Sequence, residues 1–265
     1  MPARSKYNRR VIASAVAFSP LRERIAGYTR AIALVWQGLR QYPVSPCRQI
    51  GAVCLSTSEH SCRQGVRRDA GRGTSLISYM VVLDDGQAIE TALIGREGAA
   101  GGIVSHGHLP AYTRAEVQFG GSFFRINLDH LEDAKRRSLT LRHLFDRYAD
   151  CLMAQIFQSV ACNATHSIEQ RTAKWLLAAA ERTGTDDLSL TQEELSATLA
   201  VGRSYLNRVI GDLRTRQIIQ TRRGRITIRS VDALRALACE CNTSVSRHFE
   251  EVLKGVYPAR KSALK

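Results

Sequence analysis

The feature that most constrains this chain is residues 191–210, TQEELSATLAVGRSYLNRVI, in which two short amphipathic patterns are joined by only Val-Gly. Thr191, followed three residues later by Glu194, forms a capping-box pattern, which predicts that a helix begins there. Leu190 is spaced to pack against Leu195 across the first turn of that helix. The stretch therefore predicts two helices joined by a tight turn, the arrangement called helix-turn-helix.

The second predicted helix has two different faces. Its apolar residues are spaced to pack against the first helix, and they are Leu206, Val209, Ile210 and Leu213. The polar residues lie at positions i, i+1, i+4 and i+5, so they project together: Arg203, Ser204, Asn207 and Arg208. Arginine can donate two hydrogen bonds to guanine, asparagine can pair with adenine, and serine can contact bases or phosphate. These four residues are thus predicted to contact bases in the major groove of DNA.

A basic hairpin is predicted just after this helix. In residues 218–228, IIQTRRGRITI, two β-prone arms flank an arginine-rich tip. Arginines in such a wing bind phosphates, which supplies affinity and orientation but little sequence information. We expect Arg222, Arg223 and Arg225, together with Tyr205, to contact the DNA backbone.

The charge of the chain also favours an anionic partner. Its 265 residues carry a formal net charge of +14 and give a pI near 9.9, more than solubility requires. Residues 1–74 hold 13 Lys and Arg against 3 Asp and Glu, and the other residues hold 25 against 21. The basic excess is therefore concentrated in the first segment, which shows neither strand alternation nor extended helix periodicity and is expected to be poorly ordered.

Composition also limits the cellular setting and the chemistry. Seven irregularly spaced cysteines, in a chain too long to need disulfides, predict the reducing cytoplasm. The longest uncharged apolar runs, residues 11–18 and 31–36, are well short of the roughly 18 residues that a membrane span needs, so no membrane partner is expected. No catalytic triad, paired-carboxylate or GxxxxGK pattern stands out. We therefore expect that the protein is not an enzyme.

From Ser75 the sequence changes to patterns typical of strands. Residues 76–95 contain LISYMVVL, the turn DDG and QAIETALIG, and they predict a hairpin. Residues 114–127 contain RAEVQF and SFFRIN on either side of Gly-Gly, and they predict a second pair of strands. Residues 75–128 are thus expected to form part of a small antiparallel β domain.

Beyond this region the period becomes that of a helix. One continuous apolar stripe is formed by Leu141, Leu144, Phe145, Tyr148, Leu152 and Ile156. A single helix over residues 131–161 would extend roughly 45 Å, longer than a small domain needs for its own core. We predict that residues 129–162 form a dimerisation helix whose stripe pairs with that of a second copy. The alternative is that the stripe packs only on the β domain of its own chain.

The remaining boundaries come from helix-end patterns. Ser167 and Gln170 form another capping box, and Gly184 marks the exit of that helix. We assign residues 163–235 to the winged DNA-binding domain and residues 236–265 to a C-terminal helical extension.

Taken in this order, residues 75–250 resemble a Crp/Fnr-family transcription regulator. Residues 76–98 resemble the later strands of the family's cyclic-nucleotide-type β barrel, residues 131–161 its dimerisation helix, and residues 190–228 its winged helix-turn-helix. The resemblance implies an α+β fold made of a partial cyclic-nucleotide-binding-like barrel, a long dimerisation helix and a C-terminal winged helix-turn-helix. It also implies a homodimer on double-stranded DNA, RNA polymerase as a partner, and base contacts by Arg203, Ser204 and Arg208 with Asn207 beside them.

The chain departs from the family pattern in the turn and in the β domain. Ala200 stands where the family usually has glycine, and a left-handed backbone there would cost roughly 1 kcal/mol. Gly202 stands where serine or threonine often caps the recognition helix. Leu109 and Pro110 stand where the family's phosphate-binding Arg-Ser pair is expected, after Gly95, Glu97 and Gly98. Cyclic-nucleotide dependence is therefore not expected, although two arginines remain as possible substitutes: Arg96 and Arg114.

Residues 1–74 do not resemble the opening helix and strands of the barrel. A shifted reading frame or a rearrangement upstream of Ser75 is one hypothesis for this difference. Without those strands the barrel would be open and would expose strand edges.

The sequence contains three groups of potential metal ligands, but no metal and no cofactor is expected. Four thiols lack the spacing of an iron-sulfur motif: Cys47, Cys54, Cys62 and Cys151. Cys239 and Cys241, with the more distant His248, are expected to pack within a helix, because residues i and i+2 diverge on a helix and bind one metal poorly. His106 and His108 have no obvious third ligand. We therefore expect a DNA-binding regulator, the alternative being a small-molecule or metal sensor that binds DNA only secondarily.

Overall fold

The computed structural model describes residues 15–17, 45–46, 76–95, 98–101, 111–119, 123–126 and 128–254. In these residues the strands are β1 (Ala15–Ala17), β2 (Ser45–Pro46), β3 (Leu76–Val82), β4 (Ala88–Ile94), β5 (Ala99–Ala100), β6 (Arg114–Phe119), β7 (Phe123–Arg125), β8 (Asp187–Leu188), β9 (Ile219–Arg222) and β10 (Arg225–Ile228). The helices are α1 (Leu128–Arg137), α2 (Leu139–Thr165), α3 (Ile168–Thr183), α4 (Gln192–Thr198), α5 (Arg203–Thr215), α6 (Val231–Leu237) and α7 (Cys241–Leu253). The fold is therefore α+β, as predicted.

The first predicted hairpin is present. Strands β3 and β4 pair antiparallel from Ile77 opposite Ile94 to Val82 opposite Ala88. Gly86 has a φ of 87°, which glycine adopts without steric cost, and it allows the tight turn between the two strands. Strand β6 pairs with the other edge of β3, so this sheet has the order β4-β3-β6.

The second predicted pair of strands is not formed. Strand β6 lies in the sheet with β3, whereas β7 lies in another sheet of order β2-β7-β1-β5. The pattern identified both strands correctly, but alternation alone does not specify the partner of a strand. Strands β1 and β2 belong to residues 1–74, where the sequence predicts no strand, and the rest of that segment lies outside the described residues.

The predicted single helix over residues 131–161 is two helices. Ser138, between α1 and α2, has an extended backbone with φ −133° and ψ 105°, and its hydroxyl accepts a hydrogen bond from the backbone N–H of Leu141 at 3.2 Å. Serine therefore acts as an N-cap and starts a new helix. Helix α2, with 27 residues, extends about 40 Å.

The apolar stripe predicted to pair two copies is instead covered within one chain. Five of its six residues are buried: Leu141, Leu144, Phe145, Tyr148 and Leu152. The hydroxyl oxygen of Tyr148 accepts a hydrogen bond from the backbone N–H of Ala99 at 3.0 Å, and its ring meets that of Phe249 edge-on at 6.3 Å. The stripe thus packs on the β domain and on α7 of its own chain, which agrees with the alternative of packing within one chain and extends it to α7.

A different face of α2 is apolar and exposed. Met153 is 49% exposed, Phe157 67% and Val160 67%, and they follow one another at helical spacings of four and three. Ile156, the sixth residue of the predicted stripe, is partly buried beside them.

The C-terminal part forms one core around α3, α4, α5 and the three-stranded sheet β8-β10-β9. Both predicted capping boxes are present, at Ser167 with Gln170 and at Thr191 with Glu194, and Gly184 ends α3 in a left-handed conformation. Leu190 and Leu195 are both buried in this core.

Several residues named from the sequence lie outside the described part of the chain, and they are Cys47, Cys54, Cys62, Arg96, Glu97, His106, His108, Leu109 and Pro110. Among the described residues, no helix is both long enough and apolar enough to cross a membrane.

Candidate nucleic-acid interface

The turn between α4 and α5 contains the left-handed backbone that was predicted to be energetically costly at Ala200. Ala200 has a φ of 53°, in the left-handed region. Its N–H donates to the carbonyl of Ala197 at 3.1 Å, and the N–H of Val201 donates to Ser196 at 3.0 Å. These bonds satisfy the last carbonyls of α4, so they hold the left-handed residue in place. Gly202 caps α5 without any side-chain hydrogen bond, as expected for glycine.

One face of α5 is anchored in the core of the domain. Leu206, Val209, Ile210 and Leu213 are all at most 6% exposed, and they share one apolar cluster with Leu195 and Leu199 of the α4 segment. The packing predicted from the spacing is therefore present. It fixes which face of α5 points away from the protein.

The opposite face is an exposed polar ridge formed by the four predicted base-contacting residues, Arg203, Ser204, Asn207 and Arg208. Each is exposed, and all four project from the first six residues of α5, the part of a recognition helix that enters a DNA groove. The structure brings these residues together as the sequence predicted. Their contacts with DNA stay a prediction.

Each of the two arginines of this ridge contacts a neighbouring side chain. The guanidinium of Arg203 forms an ion pair with the carboxylate of Glu193 on α4. The guanidinium of Arg208 lies over the ring of Tyr205, 5.2 Å from its centroid, a cation–π geometry. Tyr205 was assigned to the DNA backbone from the sequence; in this structure its ring contacts Arg208.

The predicted wing is the hairpin of β9 and β10. Gly224, at its tip, has a φ of 71°. Arg222 and Arg223 are exposed there. Arg225 is also exposed, but it forms an ion pair with Asp187 on β8. The positive charge of Arg225 is thus already paired with a carboxylate of the same chain.

One residue that positions this site was missed by the sequence analysis. The guanidinium of Arg171, on α3, donates to the backbone carbonyl of Leu199 at 2.8 Å. This bond ties the turn of the helix-turn-helix to the helix before it. Spacing along the sequence carries no sign of the contact, because the two residues are 28 positions apart.

A comparison with protein families matches residues 170–237 to the Crp-like helix-turn-helix domain. A search of characterised proteins found no match. Among solved structures, FixK2 from Bradyrhizobium japonicum is 16% identical with a TM-score of 0.54, over 63% of this chain and 86% of that one. The c-di-GMP-responsive global regulator CLP of Xanthomonas campestris is 12% identical with a TM-score of 0.52, over 75% and 99%.

A third similar structure is a Crp/Fnr-family transcriptional regulator from Thermus thermophilus, 19% identical with a TM-score of 0.50, over 74% of this chain and 98% of that one. At such identities the likeness is one of fold. Residues 170–237 are therefore a Crp-like helix-turn-helix domain, and the chain has the fold of the Crp/Fnr-family transcriptional regulators.

Proposed function

We propose that this protein is a sequence-specific, DNA-binding transcription regulator of the Crp/Fnr type. The observation that carries the proposal is the exposed ridge of α5, in which two arginines, a serine and an asparagine project together beside a basic wing. Arg203 and Arg208 supply donors for guanine, and Asn207 and Ser204 assist them. Arg222 and Arg223 bind phosphates on the flanking backbone.

The regulator acts as a homodimer in this proposal. The contact surface is the exposed face of α2 that contains Met153, Phe157 and Val160, rather than the stripe predicted from the sequence. An apolar face on a helix about 40 Å long is a suitable seam for a two-fold pair of helices. Two recognition helices related by that axis would lie about 34 Å apart and contact successive major grooves of a roughly two-fold operator.

We further propose that cyclic nucleotides are not the effector. The support is the sequence itself, in which Leu109 and Pro110 replace the expected Arg-Ser pair and remove the charge partner of a buried phosphate. RNA polymerase remains a partner implied only by the resemblance to the family.

Selection from genomic DNA fragments with the full-length protein tests this function. We expect recovery of a shared, roughly two-fold sequence. Fluorescence anisotropy should then give a dissociation constant for that duplex that rises steeply with salt, because bound phosphates release counterions. Recovery of random fragments only, or binding that salt leaves unchanged, would contradict the proposal. A winged helix whose partner is another protein would show no affinity for DNA that depends steeply on salt.

A further inference from the structure

Four potential metal ligands meet at one point in the structure. They come from two segments far apart in the chain: Cys162 and His166 lie at the end of α2, and Cys239 and Cys241 lie between α6 and the start of α7. Their ligand atoms all lie within 4.8 Å of one another. The three cysteines are buried and the histidine is partly buried.

Two of the distances between ligand atoms in this cluster are close to those of tetrahedral coordination around one metal ion. Zinc binds thiolate sulfur at about 2.3 Å and imidazole nitrogen at about 2.0–2.1 Å, so a tetrahedron places two sulfurs about 3.8 Å apart and a sulfur and a nitrogen about 3.5 Å apart. The Sγ atoms of Cys162 and Cys239 are 3.7 Å apart. Sγ of Cys241 is 3.6 Å from Nδ1 of His166.

The local backbone explains why these ligands can converge. Cys162 lies in the last turn of α2, and His166, which follows the helix directly, donates its backbone N–H to the carbonyl of Cys162 at 3.1 Å, so the two residues lie close together. Cys239 precedes α7 in an irregular segment, whereas Cys241 is the first residue of that helix. The sequence argument that residues i and i+2 diverge on a helix therefore does not apply to this pair. His248, which the sequence pattern places in the same group as Cys239 and Cys241, is not in the cluster.

Two side-chain nitrogen atoms lie against the sulfurs of this cluster. Nζ of Lys174 lies 3.3 Å from Sγ of Cys162, and Nε2 of Gln158 donates to Sγ of Cys241 at 3.2 Å. Three thiolates and a divalent ion leave one negative charge, which the ammonium of Lys174 balances. Oγ1 of Thr165 donates to the carbonyl of Ala161 at 2.8 Å and also lies 3.3 Å from Nδ1 of His166. With its proton on Nε2, His166 has a lone pair on Nδ1 that can bind a metal.

We propose that Cys162, His166, Cys239 and Cys241 bind one Zn²⁺ ion with tetrahedral geometry. Binding forms three zinc–sulfur bonds and one zinc–nitrogen bond, and the three thiol protons are released to solvent. With four protein ligands the site is closed to substrate, which is typical of a structural zinc site. The ion ties the C-terminal helix α7 to the end of α2, at the junction between α2 and the DNA-binding domain.

Metal analysis of the full-length protein tests the proposal. The protein is purified from zinc-supplemented cells under reducing conditions without chelator, and its metals are measured by plasma mass spectrometry. We expect about one zinc per chain. Cys162→Ser and Cys241→Ser should each weaken zinc binding at least tenfold, measured by competition with a chromophoric chelator. Cys151→Ser and His248→Ala are matched controls, since neither residue belongs to the cluster, and both should retain the metal.

Cobalt substitution keeps the test decisive if the variants fold poorly. Co²⁺ in the unaltered protein should show strong tetrahedral d–d bands and a thiolate charge-transfer band. His166→Cys should preserve the tetrahedral intensity and shift the bands, because one nitrogen ligand becomes sulfur. The proposal would be overturned by the weak spectrum of octahedral cobalt, by zinc content near zero after incubation with Zn²⁺, by equal loss in the controls, or by a Cys162–Cys239 disulfide in the reduced preparation.

Discussion

The guanidinium carbon of Arg208 lies 5.2 Å from the centre of the Tyr205 ring on the exposed face of α5. An exposed cation–π contact of this kind contributes about 0.5–1 kcal/mol, and it limits the positions open to a side chain that is otherwise free to move. Arg208, which we propose contacts bases, is therefore partly positioned before DNA binds.

The contact between Arg208 and the Tyr205 ring predicts different results for two substitutions of Tyr205. Tyr205→Ala should weaken binding to the selected duplex by about two- to fivefold, because Arg208 loses its support. Tyr205→Phe keeps the ring and should bind within about twofold of the unaltered protein, as measured by anisotropy. Equal losses in both variants, on selected and random DNA alike, would instead assign the hydroxyl to a phosphate contact.

The left-handed Ala200 predicts a stabilising substitution in the turn. Ala200→Gly should raise the free energy of unfolding by about 0.5–1 kcal/mol, since glycine has no Cβ to crowd a backbone with a φ of 53°. Urea denaturation measures the change. Ala197→Gly, an exposed position inside α4, is the control and should lower stability by a similar amount. Destabilisation by both glycines would show that the turn carries no strain.

Glu90 has a partly buried carboxylate, and we expect it to make the stability of the protein depend on pH. Burial raises the pKa of Glu90 from 4.5 to about 7, against the opposing effects of hydrogen bonds from Ser78 and Trp175 and of the nearby charges of Lys174 and Arg182. Between these two pH values the folded state holds a proton that the unfolded state has lost. The contribution of Glu90 to the free energy of unfolding is therefore fully present below about pH 4.5 and is lost as pH rises through about 7.

Glu90→Gln isolates that effect, because glutamine does not titrate and can still accept the hydrogen bond of Trp175, which is 2.9 Å long in the unaltered protein. The variant should match the unaltered protein near pH 4.5 and exceed its stability by about 1–3 kcal/mol at pH 8. Thermal unfolding followed across this pH range provides the measurement. A difference that stays constant with pH would show that Glu90 does not titrate in this window.

The exposed face of α2 predicts the dimer contact. Phe157→Glu places a charge in the proposed seam and should shift the protein to monomers in sedimentation velocity. Thr140→Glu adds the same charge at an exposed position of α2, about 100° around the helix from Phe157, and should leave the dimer intact. A dimer that tolerates both changes would place the contact elsewhere.

Local patterns predicted the DNA-binding domain well. Capping boxes, the helix pair and the wing depend on residues close together in the sequence, and Thr191 with Glu194 or Gly224 in its turn could be identified from spacing alone. The family match to residues 170–237 covers the same region.

Features that depend on distant partners were not predictable in the same way. The apolar stripe containing Tyr148 is a real buried face, but its period cannot distinguish a second copy from the β domain and α7 of the same chain. The pairing of β7 with β1 depends on a segment more than 100 residues earlier. The approach of Cys162 to Cys239 spans 77 positions, so no spacing motif reveals it.

The most direct test of the account compares Arg208→Ala with Arg223→Ala on the selected duplex and on a random duplex at one salt concentration. We predict that Arg208→Ala loses about 1–3 kcal/mol of binding free energy on the selected duplex and little on random DNA, whereas Arg223→Ala weakens both about equally. Equal losses on both duplexes for Arg208→Ala would contradict the claim that the exposed ridge of α5 contacts bases.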